Sequence, residues 1–156
     1  MIKVLFVCLG NICRSPMAEV IMNELIETNG LDKHITVDSA GTGDWHTGLP
    51  PHEETVKILL NNKLSPEGLT ARQITIQDYE ADYLIGMDAA NIGFLHQMRK
   101  PDASPEIFRL LDFVTDTEII DIPDPYFTGD FNETYELIQK GCTALLKYIQ
   151  QKHHLT

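Results

Sequence analysis

The segment Cys8-Leu9-Gly10-Asn11-Ile12-Cys13-Arg14-Ser15 brings a thiol and a guanidinium within six positions of each other. Thiolate is the nucleophilic form of cysteine, and converging backbone N–H groups favour it. A guanidinium presents a planar pair of donors to two oxygens of one phosphate. Between them, Gly10 permits the backbone angles expected of a loop wrapped around an anion. Sulfur, cradle and arginine are together the parts of phosphoryl transfer through a covalent intermediate. Each also has an ordinary reading: Cys8 as an inert core thiol, Arg14 as a solvated charge, C-x5-R as a short chance pattern. Their coincidence at one junction is what points to chemistry.

Two elements must hold that junction. Ile2–Val7 is apolar and β-branched, as a central strand of a parallel sheet is. Ser15-Pro16 reads as a helix start, with the hydroxyl at the N-cap and proline at the first position. Met17, Val20, Ile21 and Leu25 follow at helical spacing, and Gly30 suits the stop. A loop closing into a helix N-terminus at the carboxyl end of a strand gathers N–H groups and positive potential. Further strands are expected at Ile35–Asp38, Tyr83–Met87 and Ile107–Phe113. Helices are expected at Glu53–Asn62, with Val56, Leu59 and Leu60 as its apolar stripe, at Ala89–Met98 and at Asn132–Gln151. Ser39–Pro51 reads as a long loop, Ile74–Tyr79 has no clear type, and Pro123 and Pro125 argue against a helix in Ile119–Phe127. The alternation predicts one α/β domain over residues 1–156. Its architecture would be an open, mostly parallel sheet of about four strands, with helices on both faces and a phosphate-binding loop after the first strand.

At 156 residues the chain can bury a core without disulfides or metal. Its net charge of −11 repels polyanions, which argues against nucleic acid and anionic membrane surfaces as partners. A phosphorylated substrate must therefore be drawn by a local site. Cys8, Cys13 and Cys142 make no disulfide framework and suit a reducing cytoplasm. The apolar run Val4–Val7 soon meets Gly10, Asn11 and Arg14, so neither a signal peptide nor a membrane span is expected. His34, His46, His52 and His96 lack ligand spacing, and His153-His154 fall near a tail end expected to be mobile. No metal and no cofactor is implied.

Residues 7–19, VCLGNICRSPMAE, closely resemble the active-site segment of the low-molecular-weight protein tyrosine phosphatases. The likeness runs through the chain: DSAGT around Ser39, Trp45, Ala71-Arg72-Gln73, Met87-Asp88 and Asp124-Pro125-Tyr126 fall in the family's order. The resemblance implies Cys8 as nucleophile and Arg14 as the group that binds phosphoryl oxygens. Leu9, Gly10, Asn11, Ile12 and Cys13 would complete the phosphate loop. Ser15 would hydrogen-bond the Cys8 sulfur, while Asn11 and Ser39 hold the loop in a strained shape. Asp124 would protonate the leaving oxygen and then activate water, and Asp121 is its rival for that task. Trp45, Tyr126 and Phe127 would wall a slot deep enough for phosphotyrosine and too deep for phosphoserine, so the implied partner is a phosphotyrosine protein or peptide. Cys13 would protect Cys8 through a reversible disulfide. Two departures stand out: Phe127 replaces a second tyrosine common in the family, and Gly68-Leu69-Thr70 offers no histidine to brace the loop.

Three other readings compete. An arsenate reductase of the same fold also begins with C-x5-R-S but needs further cysteines to relay oxidation, and neither Cys13 nor Cys142 is well placed for it. A cysteine phosphocarrier domain accepts phosphate at a strand end but needs neither Arg14 nor a general acid. A phosphotyrosine-binding module would need only the cradle.

Overall fold

The computed structural model describes residues 1–156. Four strands, β1 (Ile2–Cys8), β2 (Ile35–Gly41), β3 (Tyr83–Gly86) and β4 (Glu106–Arg109), form one sheet in the order β2-β1-β3-β4. Every pair is parallel. Parallel neighbours require crossovers, and the helices supply cover on both faces. The period of two along β1 divides the core. Val4, Phe6 and Cys8 face the larger cluster, beneath α1 (Arg14–Thr28) and α5 (Phe131–Lys152). Leu5 and Val7 face a smaller one with Leu84, Tyr79 and Leu95, the last on α3 (Ala89–Met98). The short helices α2 (Glu53–Asn61) and α4 (Pro125–Thr128) lie in the connections.

All six apolar positions expected to face inward on the last helix are buried: Tyr135, Ile138, Cys142, Leu145, Leu146 and Ile149. Other expectations are corrected. The first helix starts at Arg14 with Cys13 as N-cap and no side-chain cap, because the Ser15 hydroxyl is bonded elsewhere. Ser39 belongs to β2, which continues to Gly41 because Ser39–Gly41 pair with Phe6–Cys8. The fourth strand stops at Arg109, whose N–H donates to the Asp112 carboxylate and starts a 3₁₀ turn over Leu110–Phe113. Ile76–Glu80 is also 3₁₀. Inward residues of α2 are Thr55, Ile58 and Leu59, whereas Leu60 is 58% exposed. Pro125 heads α4 instead of preventing it, since proline lacks only an N–H that the first helical turn leaves unpaired. His153 is not on a loose tail: its Nε2 lies 2.8 Å from the Tyr83 hydroxyl.

Candidate active site

Central strand β1 carries Cys8 to the carboxyl edge of the sheet, and residues 9–13 turn there into α1. The loop's carbonyl groups face outward into the next segment. Thr42, Gly43 and His52 donate their N–H groups to the carbonyls of Cys8, Leu9 and Ile12 at 2.9, 3.0 and 2.7 Å. By contrast, the N–H groups of Leu9, Gly10, Ile12, Cys13, Arg14 and Ser15 find no acceptor in the protein. Unpaired amides gathered at a helix start suit an anion. The left-handed backbone falls on Asn11, with φ at 59°, and not on Gly10. Gly10 is a close approach instead: a Cβ there would stand 2.8 Å from His46 Cδ2, so that ring would have to shift. Gly41 is also a close approach, since a Cβ would meet the Leu9 carbonyl oxygen at 3.0 Å.

The side chain of Asn11 gives the loop a direction. Its Oδ1 accepts the Arg72 N–H at 3.0 Å, which turns Nδ2 toward two hydroxyls. Nδ2 donates to Ser15 Oγ at 2.7 Å and to Ser39 Oγ at 3.0 Å. Each hydroxyl has one proton. Ser39 gives its own to Glu19 Oε1 at 2.6 Å, and Ser15 is left to donate to Cys8 Sγ at 3.0 Å. The Asn11 N–H adds a second donor to that sulfur at 3.3 Å. Both contacts converge on the sulfur proposed below as the nucleophile. The loop is thus braced by the Arg72 backbone, which is fixed in turn by the Gly41 N–H on its carbonyl. Glu19 is carried above the usual carboxylate range by burial, which the Ser39 hydrogen bond opposes.

Arg14 is 1% exposed. Its Nη1 donates to Asp88 Oδ2 at 2.7 Å and to the Ile122 carbonyl at 2.8 Å. Nη2 reaches Asp124 Oδ2 at 3.3 Å, while Nε is buried with no partner. One edge of the guanidinium is therefore anchored, and the Nε donor remains available beside the amide cradle. Asp124 also caps α4, its Oδ1 accepting the Tyr126 N–H at 3.0 Å. Asp121 is engaged elsewhere, by the Ala89 N–H at 3.1 Å and Arg109 Nη1 at 3.2 Å, and it does not line the cavity.

That cavity measures about 320 Å³. Cys8, Leu9, Gly10, Ile12, Cys13 and Arg14 line it together with Trp45, His46, Asp124, Tyr126 and Phe127. The three aromatic residues anticipated as walls are there, each more than half exposed. His46 is an addition that a search for metal spacing passes over; its ring centroid lies 6.0 Å from that of Tyr126. Asp88 and Glu19, which hold Arg14 and Ser39, were legible only as a family motif and as a helix residue. A wider depression of about 810 Å³ lies at the opposite, amino edge of the sheet, around Tyr83 and Glu106, and contains no cysteine or arginine. Cys13 is buried beside Cys8, and burial pushes its thiol up to about 12. Cys142 sits in the core, donating weakly to the Ala18 carbonyl, with its thiol likewise raised by burial.

A family model described as Low molecular weight phosphotyrosine protein phosphatase matches residues 3–155. Low molecular weight protein-tyrosine-phosphatase YfkJ of Bacillus subtilis (strain 168) is 52% identical over 156 residues, covering 99% of this chain and all of that protein. The crystal structure of YfkJ superposes with a TM-score of 0.94, covering 97% of this chain and 96% of that one. A Drosophila structure described as an arginine phosphatase, 35% identical, gives 0.89 over 96% and 98% of the two chains.

Proposed function

The chain belongs to the low molecular weight phosphotyrosine protein phosphatase family, and on that premise we propose that residues 1–156 act as one catalytic domain built on Cys8, Arg14 and Asp124. The protein is a protein-tyrosine phosphatase, hydrolysing phosphate monoesters through a cysteinyl-phosphate intermediate. Cys8 thiolate attacks phosphorus, and the bond to the aryl oxygen breaks as that oxygen takes the Asp124 proton. Loop amides and Arg14 hold the three remaining oxygens, which carry most of the charge in the transition state. Asp124, now carboxylate, takes a proton from water. The resulting oxygen nucleophile displaces Cys8 and releases inorganic phosphate. Ser15 steadies the departing sulfur. Arg14 and the amides supply the needed positive potential, so the proposal includes no metal or cofactor.

The buried, unpartnered Arg14 Nε beside the unpartnered loop amides is the observation that carries this reading. Asp121 is disfavoured as the acid because its carboxylate is held outside the cavity. The absence of a second buried thiol within reach of the loop, beyond Cys13, argues against an arsenate-reductase relay. Substrates are phosphoproteins, and the walls of Trp45, Tyr126 and Phe127 favour the flat ring of phosphotyrosine over the shorter phosphoserine. No helix is long and apolar enough to cross a membrane. Three free thiols support a reducing compartment, the cytoplasm.

Rapid mixing of the protein with phosphotyrosine peptide and acid quench should trap a phosphoprotein, and Cys8→Ser should form none and turn over none. Substantial hydrolysis by pure Cys8→Ser would remove the nucleophile assignment. Phosphoserine, phosphoarginine and arsenate run in parallel should be poor substrates.

A further inference from the structure

The segment that delivers Asp124 is fastened at only a few points. From Thr115 to Ile120 the sole hydrogen bond is local, from the Ile119 N–H to Thr117 Oγ1. The first tether to the rest of the fold is the Asp121 carboxylate. Its Oδ1 accepts from the Ala89 N–H at 3.1 Å and from Arg109 Nη1 at 3.2 Å. Ile122 comes next, its N–H on the Met87 carbonyl at 3.0 Å and its own carbonyl on Arg14. Met87, Asp88 and Ala89 form the junction between β3 and α3, so one short stretch of backbone holds both Arg14, through Asp88, and the acid segment. Arg109 ends β4 in register with Gly86, beside that junction, and is itself oriented by Asp112, 3.6 Å from its Nε. Only Ile122 and Pro123 separate the tethered carboxylate from Asp124, and proline allows that link little torsional freedom.

We propose that Arg109 and Asp121 form a latch that sets the position of Asp124 for proton transfer to the leaving oxygen, making both of them positioning residues for the reaction. The proposal rests on Asp124 as the acid. Misplacing a catalytic group by about 1 Å can cost up to roughly 10²-fold, and a general acid contributes about 10²–10⁴-fold in all. Loosening the latch should therefore cost about tenfold where protonation matters most.

The test measures kcat/KM over aryl phosphates of graded leaving-group acidity for wild type, Asp121→Asn, Arg109→Met, Arg109→Lys and the double variant Asp121→Asn/Arg109→Met. Each single removal should lower the rate about tenfold for phosphotyrosine and less than about twofold for the most acidic phenol. The double variant should be no worse than the worse single one, because both remove the same tether, and Arg109→Lys should recover most of the loss. Equal losses on every substrate, or no loss, would overturn the latch. So would Asp121→Asn steepening the leaving-group dependence while Arg109→Met leaves it unchanged, since Asp121 would then be the acid. Asp124→Asn is measured alongside. If Asp124→Asn alone steepens the dependence on leaving group, the acid stands and the latch falls; if Asp124→Asn leaves that dependence unchanged, the acid assignment falls on its own account.

Discussion

Replacing Asn11 tests how far one side chain sets the shape of the phosphate loop. Asn11 is 3% exposed, makes three side-chain hydrogen bonds and holds φ at 59°. Alanine there loses three bonds of about 1 kcal/mol each, and the orphaned Arg72 N–H adds roughly 1–2 kcal/mol. A left-handed alanine costs about 1 kcal/mol more. The total is about 5 kcal/mol, comparable to the entire stability of a marginal domain. Asn11→Gly loses the same bonds but tolerates the dihedral. It should therefore be more stable than Asn11→Ala by up to about 0.6 kcal/mol, after the greater freedom of glycine in the unfolded chain is subtracted. Urea unfolding followed by circular dichroism measures both variants, and turnover of an aryl phosphate reports the site. Turnover should collapse in both, because Ser15 is then free to turn its proton away from Cys8. A loss below about 1 kcal/mol in the alanine variant would show that the network does not hold the loop. Alanine equal to glycine would remove the backbone argument and leave the hydrogen bonds.

Two further outcomes follow from the other thiols. Burial raises Cys13 from its ordinary 9.0 to about 12, and Cys142 shifts the same way, so the folded chain keeps protons that the unfolded chain releases. That stabilisation is full below pH 9 and declines as pH rises toward 12; urea midpoints should fall across this window, less steeply in Cys13→Ser and Cys142→Ala, and a flat wild-type profile would contradict the burial argument. Cys13→Ser should keep near-normal turnover yet regain little activity when peroxide-treated protein is given dithiothreitol, because a Cys8 sulfenic acid then has no neighbouring thiol to trap it; equal recovery would remove the protective role.

The sequence discloses most readily what is local. β1 and α5 are visible because periodicity and burial agree along continuous stretches, and the loop between Cys8 and Ser15 is visible because its chemistry is consecutive. Other features escape where a distant partner decides. Leu60 lies on the expected stripe of α2, but only Thr55, Ile58 and Leu59 turn inward on that short helix. Asn11 takes the strained backbone that Gly10 seemed made for, since its side chain satisfies three partners that a glycine would leave unmet. The anchoring of Arg14 by Asp88 and the Ile122 carbonyl spans 74 and 108 positions, leaving no pattern in either neighbourhood. Arg72 braces Asn11 through its backbone N–H, which no side-chain pattern can announce.

Arg14 and Asp124 meet across 110 positions, which has a consequence for the chain while it is being made. The ribosome delivers the proposed nucleophile, Cys8, long before the proposed acid, Asp124. At about 5–20 residues per second, roughly 6–23 s of translation separate Cys8 from Asp124. Throughout that interval the emerging polypeptide carries its thiol without the Ile122 carbonyl that anchors Arg14, and without the α5 surface that closes over α1. A nascent chain still short of residue 124 therefore lacks the carboxylate proposed to protonate the leaving oxygen, and Arg14 gains its full set of anchors only once that residue has been added.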